Sequence, residues 1–202
     1  MLGATRLLLS ALAALPAFVL GCGGGDADKA APSVETLPQR TATIETAGAG
    51  LVFRDRYFSF EMPTGWAQFV AETEKSFGTE EALGLALVSP ETSSRISSVF
   101  VGAYDIAKVR DRFPNDIDTY VDAYAAGFDA TVTKRPEPTA LGEYAAHIAS
   151  LAYDIGGSPV AATLVRALRG DVVYLVQCQA VEQDIDLITA GCRMIVDSFS
   201  TP

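Results

Sequence analysis

Three patterns of apolar and polar positions divide this chain. Leu7–Leu20 is an unbroken apolar run. Gly23 to about Gly50 shows no sustained period of either 2 or 3.6, and Gly, Ala, Thr, Pro and Asp recur throughout it. Such a stretch cannot bury enough apolar surface to order itself. From Leu51 onward, short periodic segments follow one another to the C-terminus. A first strand is expected to begin near Ile44 or Leu51.

Tyr57–Met62 alternates as a strand. Pro63-Thr64-Gly65 interrupts it with turn chemistry, and Trp66–Phe69 resumes it. Ala82–Val88, Val99–Tyr104 and Val172–Cys178 are nearly continuous apolar runs. Strands of that kind are covered on both faces, which predicts helices on both sides of the sheet. A helix is predicted from Asn115 or Asp116 to Phe128. Ile117, Tyr120, Val121, Tyr124 and Phe128 form its stripe, and Asn115 or Asp116 caps it. Val132–Pro138, Tyr144–Tyr153, Val160–Arg169 and Val172–Cys178 are separated by Leu141-Gly142-Glu143, Gly156-Gly157-Ser158-Pro159 and Gly170-Asp171. Turns this short make them an antiparallel meander. The last helix is expected over Glu182–Ser198, with Ile185, Ile188, Cys192, Ile195, Val196 and Phe199 as its stripe. The fold class is therefore α+β, an antiparallel sheet flanked by helices on both faces, with no internal repeat.

The first of the three stretches sets the location. Arg6 supplies a positive start, and the apolar run of 14 residues contains Pro16. A membrane-spanning helix needs about 20 residues, whereas a signal-peptide core is this short. Val19-Leu20-Gly21-Cys22 resembles the lipobox of bacterial lipoproteins. It has the small residue before the cysteine, but it departs from the usual leucine and small residue at the first two positions. Residues 1–21 are read as a lipoprotein signal peptide. Cys22 is read as the lipidation site, carrying diacylglycerol with acyl chains such as palmitate. Residues 22–50 are the tether, spanning roughly 25–30 Å if flexible, and residues 51–202 are one globular domain. The alternative is an ordinary secretory peptide with a coincidental cysteine.

Composition narrows the partners. The chain has 202 residues and a formal charge of −10, from 15 basic and 25 acidic side chains. Removing Arg6 with the leader leaves 14 against 25, or −11. That balance disfavours nucleic acid and electrostatic docking on anionic lipid, so membrane attachment falls to the lipid on Cys22.

Arg56-Tyr57-Phe58-Ser59-Phe60-Glu61-Met62-Pro63-Thr64-Gly65-Trp66 resembles the opening of PsbP-like domains, an aromatic strand followed by Pro-x-Gly-Trp. Val173-Tyr174-Leu175-Val176-Gln177-Cys178, followed by a helix ending Ile195-Val196-Asp197-Ser198-Phe199, resembles their close. The family is named for an extrinsic protein of photosystem II and includes bacterial lipoproteins of the LpqN and DcrB type. The resemblance covers about Leu51 to Phe199. It implies an antiparallel sheet sandwiched by helices and a binding, assembly or chaperone-like role without a shared active site.

Assigning Cys22 to lipid leaves Cys178 and Cys192 as a pair in an oxidising compartment. Suppose the last helix folds back over its own strand. Cys192 then lies roughly 15 Å along the helix and Cys178 roughly 13 Å back along the strand, so the two come level. A disulfide is expected, with two buried free thiols as the alternative. A CxxC-type redox site does not fit the spacing.

The remaining candidates are weaker. His147 is the one histidine, too few for a histidine metal site, and no G-x-S-x-G motif accompanies it. Asp105, Asp111, Asp116, Asp118 and Asp122 cluster near the first helix without EF-hand spacing, and capping accounts for Asp116 and Asp118. Arg169-Gly170-Asp171 reads as a hairpin turn. Trp66 and Phe69 could line a ligand groove, with core packing as the default reading of such aromatics. No metal or cofactor is expected. The leading expectation is a membrane-anchored envelope lipoprotein, facing outside the cytoplasm, with a non-catalytic domain for an envelope protein or small ligand. The alternatives are a hydrolase or redox enzyme using His147 or Cys178 and Cys192, and a carrier of an apolar ligand or lipid held between sheet and helix.

Overall fold

A computed structural model describes residues 42–47, 50–69, 82–110 and 114–202. The leader, Cys22, most of the tether and Asp111 lie outside the described residues. Among the described residues, ten strands form two antiparallel sheets. The small sheet has the order β1 (Thr43–Ala47), β2 (Gly50–Arg54), β3 (Ser59–Met62). The large one contains β4 (Trp66–Gln68), β5 (Ala82–Pro90), β6 (Ser98–Asp105), β7 (Thr131–Leu141), β8 (Tyr144–Ile155), β9 (Ser158–Arg169) and β10 (Val172–Val181). Its spatial order is β4-β5-β6-β10-β9-β8-β7. The helices are α1 (Ile106–Val109), α2 (Ile117–Gly127) and α3 (Ile185–Ser198), the last entered through a 3-10 turn at Glu182–Asp184.

The meander β7–β10 follows the expected hairpins, with positive φ at Gly142, Gly156, Gly157 and Gly170 where the chain turns. A first strand is expected near Ile44 or Leu51, and strands begin near both: Thr43–Ala47, inside the stretch otherwise read as tether, pairs with β2, Ile44 opposite Phe53. Pro63-Thr64-Gly65 does more than interrupt a strand: it passes the chain from the small sheet to the large one. Phe53, Phe58 and Phe60 are stacked within 6.2 Å of one another, which fixes the small sheet against the core.

Alternation along β10 sorts the core. Tyr174, Val176, Cys178 and Ala180 pack with Ile188, Cys192 and Ile195 of α3 and with the small sheet's phenylalanines. Val173, Leu175 and Val181 join Tyr120, Val121 and Ala125 of α2 in a second cluster. Two predicted stripe positions are exposed. Ile185 is 38 % exposed and Phe128 is 51 % exposed. Helix α2 stops at Gly127, so Phe128 caps it and lays its ring on Tyr124 at 4.7 Å.

Burial under α2 raises the phenol pKa values of Tyr120, Tyr124 and Tyr153 above the ordinary tyrosine value. The folded state therefore keeps protons that the unfolded chain releases near pH 10. Stability is full below that pH and falls as pH rises above it. Alkaline unfolding followed by circular dichroism should coincide with tyrosine ionisation at ultraviolet wavelengths, and Tyr124→Phe should move the midpoint to higher pH. Ionisation of all tyrosines well before loss of structure would contradict this.

Candidate functional site

Two concavities lie over the large sheet. The first is a partly open groove of about 320 Å³ between α3 and the strands β7–β10. Small side chains form its floor: Ala161, Thr163 and Ala180, with Ile148 and Val165 beside them. Ile188 and Val196 of α3 form its wall. Arg193 and Asp197 pair across 3.6 Å at the exposed rim.

The wall is tied down at three places. A disulfide joins Cys178 on the floor to Cys192 on α3, with Cα atoms 6.0 Å apart. This is the pairing expected from the level positions of the two residues. Just before α3, the Asp184 carboxylate accepts from the Ser94 backbone N–H at 2.9 Å. Just after it, Ser59 and Ser200 exchange backbone hydrogen bonds at 2.8 and 2.9 Å. Trp66 is buried and lies so close to Gly191 that a Cβ there would come within 2.1 Å of its ring. Of the two readings of these aromatics, core packing holds for Trp66, while Phe69 borders a separate recess with Leu87 and Ser89, so the two do not line one groove. Only a glycine on α3 lets the helix lie flat on that indole.

The second concavity is a cleft of about 340 Å³ where α2 begins. Asn115, Asp116 and Ile117 lie above it, and His147 and Arg166 border it from the sheet. His147 is exposed and stands directly opposite Arg166 in the β8–β9 ladder. No Ser, Thr or Cys lines this cleft among the described residues. His147 therefore has an acid in its neighbourhood but no hydroxyl or thiol nucleophile there.

The acids near α2 have local partners. Asp105 accepts from the Ala107 N–H and caps α1. Asp116 accepts from both the backbone N–H and the hydroxyl of Thr119, at 2.8 and 2.6 Å, which lowers its pKa below the ordinary carboxylate value. Asp118 and Asp122 face Arg135 at 3.9 and 2.6 Å. Among the described residues no group of three or more His, Cys, Asp and Glu side chains is placed to hold a metal ion. Arg169-Gly170-Asp171 forms the turn between β9 and β10.

No family model and no curated protein matches this chain. Solved structures match in part. Cyanobacterial PsbP (CyanoP) from Synechocystis is 13 % identical, over 78 % of this chain and 98 % of its own, with a TM-score of 0.48. LpqN of Mycobacterium tuberculosis, involved in cell envelope biogenesis, is 12 % identical, over 81 % and 92 %, with a TM-score of 0.46. A protein of Bacteroides thetaiotaomicron is 9 % identical over 72 % of this chain, with a TM-score of 0.46, and the chain spans 45 % of its length. Likenesses at this level assign no activity.

Arg166 escaped the sequence reading. In β9 it stands among Ala162, Leu164 and Leu168 at alternate positions. A cation on the apolar face of a central strand was the available signal, because a buried charge needs a specific reason.

Proposed function

We propose that the protein is an envelope lipoprotein, held to a membrane by lipid on Cys22, whose domain binds an apolar acyl chain in the groove between α3 and the sheet without catalysis. The groove carries this reading. Its volume falls in the range of small-ligand sites, its floor and wall are mostly apolar, and its wall is anchored at three places. The charge balance supports covalent lipid over electrostatic docking as the means of attachment.

Two measurements test the two halves. Thr163 lies on the floor opposite Cys178, and Thr163→Trp fills the groove from a position that is not fully buried. The full chain in detergent should bind a fluorescent fatty acid saturably, and Thr163→Trp should weaken that binding at least tenfold while leaving thermal unfolding cooperative. Absence of saturable binding, or equal binding by the variant, overturns the groove reading. Separately, Cys22→Ser should move the protein from the membrane fraction to the soluble one. Retention at the wild-type level overturns the anchor.

A further inference from the structure

Arg166 is 6 % exposed, and no carboxylate lies within ion-pair distance of it among the described residues. Its guanidinium sits 4.9 Å from the Tyr120 ring centroid. Nη1 donates a long hydrogen bond, 3.4 Å, to the Asn115 carbonyl oxygen. Nε and Nη2 have no hydrogen-bond partner among the described residues. The stack and the Nη1 contact explain why a cation can anchor the start of α2. They leave the other edge of the guanidinium unexplained. Nε–H and an N–H of Nη2 point the same way, and this is the fork that takes two oxygens of one carboxylate or phosphate. Buried donors are almost always satisfied, so an open fork marks a missing acceptor.

We propose that the cleft at the start of α2 binds a small oxyanion, a carboxylate or phosphate group, on the Nε/Nη2 fork of Arg166. The site is separate from the apolar groove, since Arg166 alternates with Leu164 and Ala162 of the α2-side cluster whereas the groove is lined by Val165, Thr163 and Ala161. His147, opposite Arg166 across the strand pair and exposed at the cleft, offers a second donor. The N-terminal end of the α2 dipole adds positive potential. Asp116 opposes it: its carboxylate lines the same cleft and repels an anion, with only Oδ2 engaged by Thr119. Nε and Nη2 are closed to bulk water.

The test is a two-dimensional NMR titration of the full chain in detergent micelles at constant ionic strength. Inorganic phosphate and acetate are the two probes. Saturable shifts are expected at the Arg166 Nε–H and at the amides of Asn115, Ile117 and His147. Arg166→Met should abolish them, and Arg166→Lys, which keeps the charge but loses the fork, should weaken them about tenfold or more. Asp116→Asn retains a capping residue and removes one negative charge, so it should tighten binding by about threefold in a water-like dielectric. That variant keeps the proposal testable should Arg166→Met fail to fold. A third arm compares vesicles of phosphatidylglycerol and phosphatidylcholine. An Arg166-dependent preference for phosphatidylglycerol assigns a lipid headgroup, and equal partitioning with the phosphate shifts intact assigns a free anion. No saturable shift with either probe, equal shifts in Arg166→Met, or no tightening in Asp116→Asn overturns the site.

Discussion

Replacing Cys178 and Cys192 together by alanine is expected to lower the unfolding free energy by about 3 kcal/mol, the loop-entropy value for a bridge closing roughly 15 residues. The separation here is 14 residues. Both side chains are buried at the junction of β10 and α3, so alanine also removes packing and adds to the loss. Urea unfolding measures it. The wild type should show a midpoint well above that of the variant under oxidising conditions, and reductant should close most of the gap, leaving the packing part. A gap that reductant leaves unchanged would mean that the thiols are not joined. The bridge should matter for the groove as well, because it holds the middle of the wall to the floor. The variant is expected to bind a fluorescent fatty acid more weakly even at temperatures where it remains folded.

How much of this could be read in advance follows from the range of the interactions. The meander was legible because each of its hairpins is a local event, a two-residue turn between apolar runs. The bridge was legible because two periodicities, 3.3 Å per strand residue and 1.5 Å per helix residue, place its ends level whenever the helix returns over its strand. Asp116 as the α2 cap was legible for the same local reason. The small sheet was legible only as strands near Ile44 or Leu51 and over Tyr57–Met62; its pairing as a separate sheet was not. Ser59 pairs with Ser200, 141 positions away, and nothing near either residue announces it. Thr43–Ala47 is short, and Thr43–Thr46 are exposed, so a strand start near Ile44 was one of two choices, with no sign of its partner in β2.

The candidate sites divide in the same way. Cys178 and Cys192 stood out by residue type, and the helical stripe put Ile188 and Val196 on the wall of the groove. The floor did not stand out, because Ala161, Thr163 and Ala180 are unremarkable in a strand, and only their alignment across β9 and β10 makes a concavity. His147 attracted attention for its rarity. Its partner across the ladder, Arg166, did not, because an arginine in an amphipathic strand reads as solvent-facing until α2 is seen to cover it. Register converts both into one cleft, and register between β8 and β9 depends on the Gly156-Gly157 turn.

Gly142→Ala is expected to destabilise the fold by about 3 kcal/mol or more, combining a left-handed backbone strain of about 1–3 kcal/mol with overpacking of about 1–3 kcal/mol. Gly142 is the first of two residues between β7 and β8, with φ +56°. A Cβ there would lie 1.9 Å from the Phe199 carbonyl oxygen. That neighbour is backbone and cannot rotate away. It is also fixed: Phe199 is buried, stacks on Phe58 at 5.9 Å and meets Tyr174 edge-on at 5.4 Å. Meanwhile the Gly142 N–H donates to the Val196 carbonyl at 2.7 Å. The hairpin thus clamps the C-terminal end of α3, and relief of the clash must open that clamp. Gly156→Ala separates the two causes. Gly156 has φ +60° and nothing within 4 Å of the position its Cβ would take, so it suffers the backbone strain alone. The difference between the two variants in denaturant unfolding measures the steric part. Equal losses would show that Phe199 yields freely, and the C-terminal clamp on α3 would then contribute little to holding the groove open.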